Sequence, residues 1–301
     1  MGIRRQKGSD LSTSAKRRKG EQLETIAKAE AGTEADAVAT TPSTTESDDN
    51  TQEKPGFYTD AINYWETVPA TVDGMLGGLE TVNAADVRGS LSFLAELRTL
   101  HPPAKRQGTQ STASADSSQK QYPWRRACDC GAGIGRVTKN MLLKSFEHVD
   151  LVEQNAAFLE EAKSSFLKNE IADGRVTVLP ACGLQDFAPQ PATLDDDNSG
   201  YDVIWCQWVL SHLTDEHLVN FFERCKAALR PENKGRWIIV KENIAAVEDQ
   251  FDEQDSSVTR TDASLRAIFD KAGLKVVKTK TQTGFPHGLF KVNMYALSCN
   301  E

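Results

Sequence analysis

A glycine-rich turn near the middle of the chain constrains its fold more than any other feature. A strand-like run at 127–130 leads into Gly131, Gly133 and Gly135, and a stretch with helical periodicity follows. Glycines at such a turn let the backbone approach a ligand closely, and the start of the helix offers unpaired amide groups. The order strand, glycine turn, helix predicts the opening unit of an α/β domain that binds a cofactor.

The spacing of the glycines distinguishes two classes of cofactor. A dinucleotide fingerprint of the G-x-G-x-x-G type needs glycine at position 136, where this chain has Arg136. The third glycine is Gly135, and Glu153 follows it by 18 residues, close to the ~20 residues at which a carboxylate binds ribose hydroxyls. The pattern favours a cofactor made of a nucleoside and an amino acid over NAD. A capping or surface glutamate is the alternative interpretation of Glu153.

Strand-like and helical segments alternate from residue 124 onward. Predicted strands lie at 127–131, 149–153, 176–179, 201–207, 236–241, 274–280 and 291–298, and predicted helices at 136–146, 156–169, 215–229 and 264–272. Such alternation indicates parallel βαβ units in a doubly wound sheet, and the missing helix before the last strand predicts a terminal hairpin. This arrangement resembles the class I S-adenosylmethionine-dependent methyltransferase fold, a Rossmann-like α/β fold.

The rest of the chain divides by composition. Residues 1–54 are polar and lack aromatic residues, which predicts a disordered, charged tail. Residues 55–100 are predicted to form a helical cap, residues 101–123 a disordered surface insertion, and residues 124–301 the α/β core. The basic residues 16–19 are interpreted either as a nuclear-import signal or as a solvated charge run.

Charge and cysteine usage exclude several functions. The net charge of -8 argues against direct nucleic-acid binding by the whole chain, and no apolar run approaches the ~20 residues of a membrane span. None of the six cysteines forms a zinc-type pair of pairs, so we predict no metal and reduced thiols. Reduced thiols are typical of cytoplasmic or nuclear proteins. The oligomeric state cannot be inferred.

Several segments together resemble the eukaryotic protein N-terminal methyltransferases that act on Xaa-Pro-Lys/Arg N-termini. The matching stretches are 64–78, 129–138, 182–187, 201–215, 241–243 and 255–258. The first and fourth are specific, since other methyltransferases lack them. The resemblance covers about residues 57–298 and leaves out the tail and the 101–123 insertion.

The resemblance implies S-adenosylmethionine as cofactor and assigns residues to it. The predicted cofactor-binding set is Gly131, Gly133, Gly135, Arg136, Glu153, Leu184, Gln185 and Gln207. For Arg136 a pair with the cofactor's carboxylate and a structural ion pair are equally supported. Leu184 and Gln185 follow the third strand, and their place beside the adenine is inferred from topology.

The resemblance also implies methyl transfer to the α-amino nitrogen of a protein N-terminus. Its predicted bases are Asp255 and His212, because an ammonium has no lone pair with which to attack a methyl group. The predicted substrate-binding set is Trp65, Leu76, Trp208, Asn243, Asp252 and Asp255. In this assignment the indoles face the substrate's proline, the carboxylates face its basic third residue, and the loop at 75–78 covers the peptide. Core packing is the alternative for both tryptophans.

Three positions depart from the family pattern. The chain has Glu153 and Glu253 where the family has aspartate, and Phe290 where the family has a tyrosine that lines the substrate channel. These changes affect the expected substrate preference more than the expected reaction. Two other hypotheses remain: a small-molecule N- or O-methyltransferase of the same fold, and a regulatory paralogue that binds cofactor without catalysis.

Overall fold

The computed structural model describes Arg4, residues 54–100, Tyr122 and residues 124–193, 199–230 and 235–299. In chain order, the strands are β1 Trp124–Cys130, β2 Phe146–Val152, β3 Val176–Val178, β4 Val203–Gln207, β5 Trp237–Ile244, β6 Gln250–Asp252, β7 Ser257–Thr259, β8 Lys275–Thr281 and β9 Lys291–Ser298. The helices are α1 Phe57–Glu66, α2 Val72–Met75, α3 Asn83–Leu100, α4 Arg136–Asn140, α5 Ala156–Glu161, α6 Lys168–Ala172, α7 Asp215–Ala228 and α8 Asp262–Lys271.

Seven of these strands form one twisted sheet in the order β3-β2-β1-β4-β5-β9-β8. Strands β1 to β5 are parallel to one another, whereas β9 runs antiparallel to both β5 and β8. The predicted parallel sheet with a terminal antiparallel hairpin is therefore confirmed. Because the five parallel strands point the same way, the residues that follow them meet at one edge of the sheet, where ligands bind in this architecture.

The sheet is covered on both faces, and its central strands show why. Every residue of β4 is buried, as expected for a parallel strand with helices on both sides. Val203 and Trp205 pack into one hydrophobic layer, which includes Phe93 of α3. Ile204 packs into the other, which includes Phe222 of α7. Alternate residues of a strand thus supply both cores.

Helices also fill the region predicted as a cap. Phe57, Ala61 and Trp65 form the buried face of α1, and α3 packs on the sheet through apolar residues in its second half. Two polar residues of α3, Asp86 and Ser90, are as buried as its apolar ones. That burial requires partners from the sheet.

Three segments differ from the sequence-based prediction. The helix predicted at 136–146 ends at Asn140, because Met141 leaves the helical region with φ -132° and ψ -60°. A 3-10 turn, Leu142–Lys144, then leads directly into β2. The helix predicted at 156–169 is interrupted by a π-helical turn, Ala162–Phe166. Apolar residues continue through these breaks, so periodicity alone did not mark them.

Part of the acidic stretch at 249–255 forms a strand. Strands β6 and β7 pair antiparallel as a separate two-stranded sheet, with Asp252 opposite Ser257. Carboxylates are uncommon in strands, which hid the pairing from pattern analysis.

Several predictions concern residues outside the described ranges. They concern the tail predicted to be disordered at 1–54, of which only Arg4 and Lys54 are described. They also concern the basic cluster at 16–19 and nearly all of the insertion at 101–123. Within the described ranges, no helix is long and apolar enough to cross a membrane. The same part of the chain has no group of three or more His, Cys, Asp or Glu residues placed to hold a metal ion.

Candidate active site

The glycine turn after β1 is held against the carboxylate of Glu153, which follows β2. Gly131, Gly133 and Gly135 have φ of 67°, 58° and 86°, values that glycine adopts with little strain. The Gly133 amide donates to Glu153 Oε2 at 2.9 Å, and the two amides after Glu153 donate to its Oε1 at 2.8 and 2.9 Å. Burial raises the pKa of Glu153 despite these hydrogen bonds. The acidic residue and the turn predicted together are thus in contact.

A second buried carboxylate fixes the helix that follows the turn. Asp129 accepts hydrogen bonds from the amide of Thr138 at 3.0 Å and from its hydroxyl at 2.6 Å. Burial raises the pKa of Asp129 to about 6. Asp129 thus stabilises the start of α4. Because Glu153 binds Gly133 and Asp129 binds Thr138, the glycine turn is held by two carboxylates.

A small cavity of ≈ 20 Å³ opens beside the turn at the carboxyl edge of the sheet. Gly131, Glu153, Leu184, Gln185 and His212 are among its lining residues. Leu184 gives this cavity an apolar wall, next to the side-chain amide of Gln185 and the carboxylate of Glu153. The structure brings these predicted residues together, and their contact with a cofactor stays a prediction.

Two other predicted cofactor residues have protein partners. Arg136 Nη1 donates to Asp86 Oδ2 at 2.8 Å and to Asn83 Oδ1 at 2.9 Å. Gln207 Nε2 donates to both oxygens of Asp86 at 3.0 Å. Arg136 therefore forms the structural ion pair that was one of its two interpretations. Its contact with a cofactor is not tested by this geometry.

Asp86 is the centre of a buried polar cluster that also includes Lys241 of β5. Lys241 Nζ donates to Asp86 Oδ1 at 2.5 Å, to Ser90 Oγ at 2.9 Å and to Gln282 Oε1 at 2.8 Å. Burial raises the pKa of Asp86, but Lys241 and Arg136 outweigh it and hold that pKa below its usual range. Burial lowers the pKa of Lys241. We call Asp86, Arg136, Gln207 and Lys241 the Asp86 cluster.

The segment after β4 carries Trp208 and His212 and is fixed by Glu242 of β5. Glu242 Oε1 accepts from the amides of Val209 and Leu210, each at 2.9 Å. Burial raises the pKa of Glu242 to about 7. Trp208 has a φ of 55°, a conformation that costs a non-glycine residue energy and is concentrated at functional sites. Glu242 thus supports a strained turn that projects an indole at the edge of the sheet.

Trp65 of α1 contacts His212, which lines the cavity. The Trp65 indole donates from Nε1 to His212 Nε2 at 3.1 Å, and the rings are nearly perpendicular at 87°. His212 Nδ1 lies 3.3 Å from the carbonyl oxygen of Ser256, so Nδ1 carries the proton and Nε2 accepts. Burial holds the pKa of His212 well below its usual range. His212 is therefore neutral at physiological pH.

The predicted acidic pair lies on the β6–β7 hairpin. Asp252 ends β6, and Asp255 sits in the turn, where the Ser257 hydroxyl donates to its Oδ1 at 2.8 Å. Ser256 has a φ of 50° and, with Trp208, is one of the two described non-glycine residues with positive φ. Burial raises the pKa of Asp255. The hairpin thus holds a carboxyl group of raised pKa beside Ser256, whose carbonyl oxygen contacts His212.

An arginine from the start of the chain contacts both carboxylates. Arg4 Nη2 donates to Asp255 Oδ2, and Arg4 Nη1 lies 3.8 Å from Asp252 Oδ2. The Arg4 carbonyl oxygen accepts from the Phe290 amide at 2.9 Å. The contact was not expected, because the residues around Arg4 had been interpreted as a disordered tail.

The other predicted substrate residues line the same region. Leu76 is fully buried and packs in one hydrophobic cluster with Trp208. Asn243 is buried at the end of β5. Three buried charged residues of this region were not predicted: Asp86, Glu242 and Arg260. Arg260 donates to the carbonyl oxygens of Leu210 and Leu213 at 3.1 and 2.6 Å. Buried charged residues in apolar segments were the available signal, since such residues need partners.

The turn, the cavity and the strand order together narrow the class of protein. Dinucleotide enzymes share a glycine turn, but here Arg136 stands at the position of their third glycine. The antiparallel β8–β9 pair at the end of the sheet is also not their usual arrangement. The fold and the cavity define a class I S-adenosylmethionine-dependent methyltransferase.

Comparisons with known proteins identify the family. Residues 53–298 match the family described as AdoMet dependent proline di-methyltransferase, and the chain belongs to it. It is 41% identical over 246 residues to N-terminal Xaa-Pro-Lys N-methyltransferase 1-B of Xenopus laevis, covering 82% of this chain and 97% of that protein. It is 44% identical over 243 residues to alpha N-terminal protein methyltransferase 1 of Schizosaccharomyces pombe, covering 80% and 95%.

Solved structures agree with the fold. A SAM-dependent methyltransferase from Leishmania major superposes with a TM-score of 0.64 at 36% identity, covering 80% of this chain and 83% of that one. A Burkholderia thailandensis 1,6-didemethyltoxoflavin-N1-methyltransferase superposes with a TM-score of 0.55 at 18% identity, covering 82% and 92%. The second likeness concerns the fold alone. The chain is an AdoMet-dependent methyltransferase.

Proposed function

We propose that this enzyme methylates the α-amino group of proteins that begin with Xaa-Pro-Lys or Xaa-Pro-Arg. The Xenopus laevis relative is named for Xaa-Pro-Lys N-termini, and the Schizosaccharomyces pombe relative is named for protein N-termini in general. The predicted substrate residues lie near the carboxyl edge of the sheet. The specific support is the acidic pair Asp252 and Asp255, which binds an arginine side chain in this structure. A site that holds a guanidinium between two carboxylates suits a basic third residue in the substrate.

The cavity beside the glycine turn is the proposed cofactor site. Glu153 would accept hydrogen bonds from the ribose hydroxyls, and Leu184 and Gln185 would lie against the adenine. Bound there, AdoMet would supply an electrophilic methyl group on a positively charged sulfur. The protein's task is then to present a neutral amine and to exclude water.

Asp255 is the proposed proton acceptor. A protein α-amine has a pKa of about 7.7–8.0, so a base of raised pKa nearby suffices to withdraw its proton. Burial raises the pKa of Asp255, whereas the Nε2 lone pair of His212 is already bound by the Trp65 indole. We therefore assign proton acceptance first to Asp255. His212, predicted as a second base, orients Trp65 and the hairpin through Ser256 in this arrangement.

The aromatic residues would provide the surface for proline. Trp65 and Trp208 are both buried and approach the site from different elements, α1 and the turn after β4. A proline ring between apolar surfaces, with Leu76 above and Asn243 available to the peptide backbone, accounts for a preference for proline at the second position. Phe290 provides a backbone amide to this wall.

Mass spectrometry tests the reaction directly. The full chain, incubated with AdoMet and a peptide that begins Ser-Pro-Lys, should add methyl groups to the α-nitrogen. The same peptide with an acetylated N-terminus should remain unmodified. Equal methylation of both peptides would exclude the α-amine as acceptor, and cofactor binding without methylation of either would favour a regulatory paralogue.

The cofactor site has its own matched pair of variants. A Cβ at Gly133 would come within 2.3 Å of the buried Met75 sulfur at a φ of 58°, whereas a Cβ at Gly78, with a φ of 80°, would meet no atom within 4 Å. Both substitutions to alanine strain the backbone. Calorimetric titration with S-adenosylhomocysteine should show weakened binding for Gly133→Ala and little change for Gly78→Ala.

A further inference from the structure

Arg4 is held in the acidic site at three points. Its two terminal nitrogens face Asp255 and Asp252, and its carbonyl oxygen accepts the Phe290 amide. Its side chain is 15% exposed, and that of Asp255 is 11% exposed. A charged pair that is largely removed from solvent, with one backbone hydrogen bond beside it, is a specific contact and more than a surface ion pair.

The contact uses the same groups that the proposed function assigns to the substrate. A basic third residue of a substrate would need the carboxylates of Asp252 and Asp255, and a guanidinium from the chain itself already satisfies them. Both cannot occupy the site at once, because the Arg4 guanidinium fills the space at Asp255 and Asp252 that a second cation would need and would repel that cation. Arg4 also places a positive charge beside the proposed proton acceptor.

We propose that Arg4 acts as an intramolecular pseudosubstrate: it occupies the basic-residue site and competes with protein N-termini. The inference rests on the proposed function for the identity of its competitor. Because Arg4 is tethered to the enzyme, it competes at an effective concentration that a free substrate peptide of similar affinity must match to displace it. The enzyme is thus partly self-inhibited until substrate displaces Arg4.

Steady-state kinetics of three full-length variants test the competition. Arg4→Ala should lower the KM for a Ser-Pro-Lys peptide roughly tenfold, the effect of losing one charge-assisted contact, with kcat little changed. Arg4→Lys should keep part of the inhibition, since lysine retains the charge without the two-pronged geometry. Arg5→Ala removes the same charge one position along the chain and should behave like the unmodified protein. An unchanged or higher KM for Arg4→Ala would overturn the proposal.

Binding in trans separates this inference from the proposed function. A synthetic peptide of residues 1–8 should bind the Arg4→Ala enzyme in a calorimetric titration, and the same peptide with alanine for Arg4 should not. This readout needs no turnover, so it decides the inference even if no peptide is methylated. Equal binding of the two peptides would contradict it. Methylation of the enzyme's own N-terminus with AdoMet alone would make the segment a substrate and overturn inhibition.

Discussion

Two buried polar regions of this enzyme differ in their charge balance. In the Asp86 cluster one carboxylate faces two cations, and its pKa is held below the usual range. Elsewhere at this edge of the sheet, Glu153 and Glu242 are buried against backbone amides, and the pKa of each is raised. Burial also raises the pKa of Asp255, although Arg4 contacts it. Burial is common to both regions, so burial alone does not identify a reactive carboxyl. The number of cation partners also matters: two outweigh burial at Asp86, whereas one does not at Asp255.

The largest expected effect concerns the proposed proton acceptor. Asp255→Asn keeps the size of the side chain and removes the base, so kcat on a Ser-Pro-Lys peptide should fall by about 10² to 10⁴-fold. Asp252→Asn is the matched control, because it removes the neighbouring carboxylate and should mainly raise KM. Rapid-quench or continuous assays of both variants check this. Wild-type turnover in Asp255→Asn would refute the assignment.

A comparable effect, on stability, is expected in the Asp86 cluster. Asp86→Asn leaves Arg136 and Lys241 buried without a counter-charge, which should lower the free energy of unfolding by about 3–5 kcal/mol. Asp255→Asn should change it by no more than about 1 kcal/mol, since that carboxyl is already disfavoured in its charged form. Urea denaturation at neutral pH measures both. Equal losses would remove the distinction between the two regions.

A smaller effect should appear in the pH dependence of stability. The pKa of Glu242 is raised from 4.5 to about 7 in the folded protein, so the folded state favours its protonated form. Its contribution to stability is present below pH 4.5 and is lost as the pH rises through 7, at about 1.4 kcal/mol per pH unit between. Glu242→Gln should flatten this part of the profile in denaturation experiments. Glu253→Gln, at a residue whose side chain is 86% exposed, should leave the profile unchanged.

The smallest expected effect concerns the indole that holds His212. Trp65→Phe keeps an aromatic ring but removes the hydrogen bond from Nε1 to His212 Nε2, so kcat/KM should fall by less than about tenfold. Tyr64→Phe removes a hydroxyl from the neighbouring residue and should have no such effect. A loss in Trp65→Phe as large as that in Asp255→Asn would place Trp65 in the chemistry itself.

The cofactor side of the molecule could be predicted from the sequence in more detail than the substrate side. The glycine turn and Glu153 are near each other in the chain, and the alternation of strands and helices fixes where both must lie. The contacts of the Asp86 cluster join α3 to β5 across 155 positions. No local sequence pattern indicates a contact between residues so far apart in the sequence. Asp86 and Lys241 were therefore missed as partners.

The substrate side depended on the family resemblance. Trp65, His212 and Asp255 come from three separate segments, and their periodicity alone would allow core packing or a solvated loop. The positive φ of Trp208 and Ser256 is also unpredictable from residue type, because tryptophan and serine rarely adopt it. The contact of Arg4 with Asp255 was hidden by the composition around Arg4, which is typical of chains without a fixed structure.

The β6–β7 hairpin has an evolutionary consequence. It lies between β5 and α8 and pairs with no strand of the main sheet, yet it carries both Asp252 and Asp255. Under the proposed function, insertions or exchanges in its turn would alter which N-terminal sequences are accepted while the glycine turn and Glu153 remain as they are. Substrate choice and cofactor binding can thus diverge independently among descendants of one ancestral gene.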